Sequence, residues 1–74
     1  MNLDNLTKGE IFIVKWQYGL HGSFKKALSD AIKQADVHNL HRLSLAFPDE
    51  VAAYSDFSNT DGWWEEVQKK AGIK

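Results

Sequence analysis

Cysteine is absent from the chain. No disulfide framework, thiolate metal site or thiol nucleophile can therefore form, and the usual staples of small secreted domains are missing. A reducing compartment such as the cytoplasm suits such a sequence. Long hydrophobic runs are lacking too: nothing approaches the roughly 18 apolar residues of a membrane span. The opening stretch MNLDNLTKGE has neither the basic nor the apolar region of a signal peptide. The expectation is a soluble cytoplasmic protein. One proline and five glycines in 74 residues leave no linker and no low-complexity tract, only punctuation between short segments. A single domain over residues 1–74 follows, with residues 1–6 as a flexible lead-in. Its length is close to the limit at which one core outweighs chain entropy, so self-association would help it.

Positive charge is missing from a whole stretch. Between Leu43 and Gln68 there are six acids (Asp49, Glu50, Asp56, Asp61, Glu65, Glu66) and no lysine or arginine. Up to Arg42, six bases face four acids, a local surplus of +2 against an overall charge of −1. Such polarity steers a partner or a second copy of the chain, or it only solvates helix faces. The small net charge argues against a dedicated nucleic-acid binder. Lys25, Lys26, Lys33 and Arg42 can line one side, and the helices from Ser23 to Phe47 resemble a helix-turn-helix superficially. The turn glycine is missing, however, and few side chains would reach base edges.

Catalytic signatures are absent as well. There is no Gly-rich phosphate loop and no G-x-S-x-G, and Asp49, Glu50, Asp56 and Asp61 sit where helices begin, not as an acid/base pair. Short helices in a chain this size leave little room for a water-excluding cleft. No enzyme activity and no cofactor are expected.

What is present is helical periodicity. In SFKKALSDAIKQAD the residues Phe24, Ala27, Leu28, Ala31, Ile32 and Ala35 recur at amphipathic-helix spacing, with Ser23 placed as N-cap. The alanines leave room for close helix approach, and this segment reads as the central packing element. Asp36 can end it and cap the next helix, VHNLHRLSLAF, whose inward stripe is Val37, Leu40, Leu43 and Phe47. Pro48 stops that helix and suits the first turn of a fourth, PDEVAAYSDF, where Asp49 and Glu50 favour the helix dipole. Phe47 is placed to staple onto Val51 or Ala52. SNTDG breaks the chain again, and Asp61 can cap the last helix.

The segment GEIFIVKWQYGL is ambiguous. Thr7 and Glu10 have capping-box spacing, whereas the β-branched and aromatic run puts Phe12, Val14, Trp16 and Tyr18 on one strand face. Helix is the better reading, because a lone strand in a helical chain exposes an unpaired edge. As a helix it is apolar nearly all round, so one face is expected to meet another subunit. The fold class is therefore all-α, a compact bundle of four to five short helices that assembles as a homo-oligomer.

Three groups stand out as candidate sites. On the final helix Trp63 and Trp64 flank an arc centred on Val67 and Ala71, so both rings can cap the core or anchor a partner. Glu65 with Lys69 and Glu66 with Lys70 have the spacing of exposed ion pairs. His38 and His41 lie one turn apart, but H-x-x-H without a third ligand is a weak metal signal, and His21 and Asp36 join it only through an unproven fold. With Leu45 they form an outward face suited to a partner. Trp16, Trp63 or Trp64 can also stack on a base while Lys25, Lys26 or Arg42 meets phosphates.

Taken together, GSFKKALSDAIKQADVHNLHRLSLAFPDEVAAY and GWWEEV resemble a group of small phage- and prophage-encoded proteins. The shared features are Gly22 and Phe24 before an Ala/Leu-rich helix, A-D-x-x-N-L-x-x-L at Ala35 to Leu43, F-P-x-E-V at Phe47 to Val51, and G-W-W at Gly62 to Trp64. The resemblance spans about two thirds of the chain and rests on packing and capping residues. It implies a small accessory protein in the bacterial host cytoplasm that binds a host or defence protein. A nucleotide-binding sponge and a structural or assembly protein of the virion are the other readings.

Overall fold

In the computed structural model, which describes residues 2–73, the chain forms five α-helices and, among the described residues, no strand. They are α1 (Lys8–Gln17), α2 (Ser23–Gln34), α3 (Val37–Ala46), α4 (Pro48–Asn59) and α5 (Trp63–Lys70). The all-α expectation holds. None of the helices is long and apolar enough to cross a membrane.

Local signals explain most of the helix boundaries. Thr7 and Glu10 close a reciprocal capping box at α1: the Glu10 N–H donates to the Thr7 hydroxyl (3.2 Å) and the Thr7 N–H to the Glu10 carboxylate (2.9 Å). Asp36 accepts from the Asn39 N–H at 2.8 Å and starts α3. Pro48 occupies the first turn of α4 behind Asp49 and Glu50, and Phe47 alone joins α3 to α4. Two caps differ from expectation. Gly22, not Ser23, precedes α2, and Gly62, not Asp61, precedes α5; neither supplies a side-chain cap. Ahead of α1, residues 2–6 contain a turn, and the Asn2 N–H donates to the Ala71 carbonyl at 2.7 Å.

The hub is α4, not α2 as the sequence indicated. It packs on α1, α3 and α5, whereas α2 reaches the core mainly through Leu28, Ser29 and Ile32. Helices α1 and α4 run in the same general sense: Gly9 meets Asp49 and Ala53, and seven residues on, Trp16 meets Tyr54 and Phe57. Phe12, Ile13, Leu28, Ile32, Val51 and Ala53 form the core cluster. The Cα envelope is only 17 Å along its short axis, so the core is thin and most apolar residues are half-covered.

The apolar segment expected to meet a second subunit is covered in part by its own chain. Phe12, Ile13 and Val14 are buried within one chain, whereas Tyr18 and Leu20 at the end of the same segment are 44% and 56% exposed. More uncovered apolar surface lies on α2 and α3. Phe24 and Val37, both expected to point inward, are 63% and 83% exposed, and Ala27 and Ala31 face solvent. The strongest amphipathic stripe in the sequence is thus only half used.

Among the described residues one buried side-chain polar atom is without a partner: the carbonyl oxygen of Gln68. Gln68→Met keeps the volume and removes the orphaned acceptor, so it is expected to stabilise the fold by about 1 kcal/mol. Thermal unfolding should rise by roughly 4–8 °C in a domain of this size; an unchanged or lower midpoint would contradict it.

Candidate functional site

The aromatic pair that dominates the C-terminal helix is turned inward. Val67 and Ala71 are buried, and Trp63 and Trp64 flank them half-covered. Their rings meet Phe57 edge-on at 6.4 and 5.6 Å, and Trp16 meets the same Phe57 at 6.0 Å and Tyr54 at 5.8 Å. Centroid separations of this size are the favourable edge-to-face range. All three tryptophans therefore converge on one residue of α4. Trp63 also walls a groove over α4 that is flanked by Asp49 and Asp56.

The outer face of α3 keeps the other candidates together. His38, His41 and Leu45 are all exposed, Leu45 by 73%, and with Val37 they form one stripe at i, i+3 and i+4 spacing. No residue of α3 is fully buried. Among the described residues no three His, Asp, Glu or Cys side chains are grouped to hold a metal ion. His21 is engaged elsewhere, and Asp36 caps α3.

A region that sequence spacing did not reveal lies at the α1–α2 corner. Gly19, at φ 66°, ends α1 in a Schellman turn: the Leu20 N–H donates to the Lys15 carbonyl (2.8 Å) and the Gly19 N–H to that of Trp16 (3.2 Å). The turn swings His21 back over α1. Its Nε2–H donates to the Phe12 carbonyl at 2.9 Å, and its ring lies 4.9 Å from that of Phe12. The Lys25 ammonium stands 5.8 Å from the Phe12 ring centre and 3.5 Å from the buried Glu50 carboxylate. A hollow of about 210 Å³ opens between them, bordered by Lys8, Lys15, His21 and Lys25. A second, of about 250 Å³, shares Lys15 and His21 and adds Trp16, Lys26 and Asp30. Trp16 and Lys26 thus border one hollow and Lys25 the adjoining one; Arg42 borders a separate groove between α2 and α3.

Two ionisable groups carry a clear electrostatic imprint. Burial holds His21 below its ordinary 6.5, and the Lys25 and Lys15 charges push the same way, against the opposing bond to the Phe12 carbonyl. For Glu10, burial disfavours the charge, but the hydrogen bond from Lys70 (2.7 Å) and those of the capping box outweigh it and hold the carboxyl below 4.5. Lys70 was expected to pair with Glu66; Lys69 takes that partner at 3.6 Å instead.

Both shifts make acid destabilising. The unfolded chain protonates His21 more readily than the folded one, so that contribution is complete above pH 6.5 and is lost as pH falls through the lower folded value. Glu10 contributes above 4.5 and is lost as pH falls through its own depressed value. Urea midpoints should therefore decline in two steps between pH 8 and 3, and His21→Gln should flatten only the upper one. A midpoint that stays level from pH 7 to 5 would refute the first step. No family model, curated protein or solved structure matches the chain.

Proposed function

We propose that this chain is a small non-enzymatic accessory protein, of the kind phages and prophages encode, that acts by protein–protein contact on a host or defence factor. The observation that carries this reading is the uncovered stripe on α3. Val37 and Leu45 are 83% and 73% exposed and bracket His38 and His41, on a helix that buries nothing completely. Two large aliphatic side chains held out on a rigid helix supply the apolar centre of an interface, and the imidazoles supply hydrogen-bonding groups beside it. Because the stripe contributes little to the core, it can be altered without unfolding the domain.

The test is a paired capture. Wild-type protein and the Val37→Glu/Leu45→Glu variant, matched in helicity and melting temperature, are exposed to bacterial host lysate and to a tagged second copy of the chain. A protein, host or self, retained by the wild type and lost from the variant is the expected result. Identical retention by both, or none by either, would overturn it.

A second reading, an oligomeric binder of nucleotide-like molecules, draws support from Trp16 and Lys26 bordering the same hollow. Trp63 and Trp64 support it less, because both rings are committed to Phe57. A structural role in the virion remains the third proposal, distinguished by co-purification with particles.

A further inference from the structure

We infer that the α1–α2 corner is a binding site for a phosphate-bearing ligand, held by Lys8, Lys15 and Lys25 with His21 beside them. This deepens the ligand-binding reading by naming a site and the group recognised, and it is independent of the stripe on α3.

The first argument is convergence. Lys8 and Lys15 come from α1 and Lys25 from α2, so ammonium groups from two helices approach one hollow, and the connector adds the His21 ring beside them. Lys26 extends the set into the adjoining hollow. The carboxylates facing the same space are Glu50, buried beneath Lys25, and Asp30 at the far rim. Four ammonium groups against two carboxylates leave a local surplus of +2, in a chain whose total is −1. Positive charge has thus been gathered here against the overall balance.

The second argument is the floor. Ile11, Phe12 and Leu20 line the first hollow, and apolar walls raise the potential that clustered charges produce at its mouth. Ammonium groups approaching from several directions suit a multiply charged tetrahedral anion better than a single planar carboxylate, for which a fork of arginine donors is the better match.

The third argument is preorganisation. The Schellman turn and the bond from His21 to the Phe12 carbonyl fix the connector before any ligand arrives. The other ring nitrogen, Nδ1, makes no hydrogen bond among the described residues and is left for a ligand. Burial, joined by the Lys25 and Lys15 charges, holds the ring below its ordinary 6.5 in the free protein; an anion among the lysines opposes their part of that field, so binding should bring proton uptake at His21.

The experiment follows the three histidine ring signals of the full chain by NMR at low salt. Sodium pyrophosphate, ATP and adenosine are titrated separately into wild type, Lys15→Gln, Lys8→Gln and Lys33→Gln. Saturable movement of the His21 signal by pyrophosphate and an upward shift of its titration are expected. Affinity should weaken with added salt and fall about tenfold on loss of one charge-assisted contact in Lys15→Gln, with Lys33→Gln unaffected. Lys8→Gln, at an exposed position, serves should Lys15→Gln lose its fold. No saturable response to either phosphate compound overturns the site, as does equal weakening by Lys33→Gln, which would mean diffuse attraction. ATP binding far more tightly than pyrophosphate supports both the site and the nucleotide reading. Equal affinities support the site and remove that reading, whereas binding of adenosine alone removes the site and leaves nucleotide recognition through Trp16.

Discussion

Phe57→Ala is expected to cost about 3 kcal/mol, near the lower end for deleting a packed phenyl ring because this one is half-exposed. Phe57 is the common neighbour of Trp16, Trp63 and Trp64, at centroid distances of 6.0, 6.4 and 5.6 Å. Its removal takes the edge-on partner from Trp63 and Trp64 and one of two aromatic neighbours from Trp16, and loosens the seams of α4 with α1 and α5 together. Domains hold only about 0.05–0.15 kcal/mol of stability per residue, so the loss is a large share of the total. The melting temperature should fall by roughly 12–24 °C, and the tryptophan emission should shift to the red before global unfolding. Phe57→Leu, which keeps most of the apolar volume, should lose about 1 kcal/mol. A fall of less than about 4 °C for the alanine variant would mean that Phe57 does not hold the indoles, and would return Trp63 and Trp64 to the role of partner anchors.

What the sequence made legible is what a few neighbouring residues determine among themselves. The capping box of Thr7 and Glu10, the cap at Asp36 and the first-turn Pro48 involve bonds or dihedrals within one turn, so spacing alone locates them. The wheel positions of Trp63, Trp64, Val67 and Ala71 and the outward face of His38, His41 and Leu45 follow from the same periodicity. Packing order does not. The α2 segment has the clearest amphipathic pattern, yet Phe24, Ala27 and Ala31 are exposed, because the two-residue link to α3 and the close α1–α4 contact decide which helix becomes central. The same limit applies to charge. Spacing pairs Lys70 with Glu66, but the nearly buried Glu10 carboxylate gains more from a counter-ion than an exposed glutamate does, and Lys70 bonds there instead. The α1–α2 corner was illegible for a related reason: Lys8 and Lys15 share one face of α1 at i, i+7 spacing, but His21 and Lys25 join them only through the turn at Gly19. Five glycines are easily read as punctuation. One of them is a contact surface.

Gly9→Val is the clearest test of that contact, with an expected loss of about 3 kcal/mol. A Cβ on residue 9 would lie 2.6 Å from the Asp49 carbonyl oxygen and 2.8 Å from the Ala53 Cβ. Neither is the tip of a flexible side chain. Relief therefore requires the backbones of α1 and α4 to separate at the seam that carries Phe12, Ile13 and Val51. Gly9→Ala meets the same clash but gains up to about 1 kcal/mol in helix propensity, leaving a net loss of about 1–2 kcal/mol. Urea midpoints at unchanged slope would measure both. Ala53→Gly separates steric from intrinsic effects: in wild type it should be costly, as glycine within a helix is, but in the Gly9→Ala background it removes one of the two clashes. The pair should thus be non-additive, with the double variant more stable than the sum of the single losses predicts. If Gly9→Ala stabilises the protein, α1 and α4 do not meet at residue 9. If the two substitutions simply add, Ala53 is not what limits their approach.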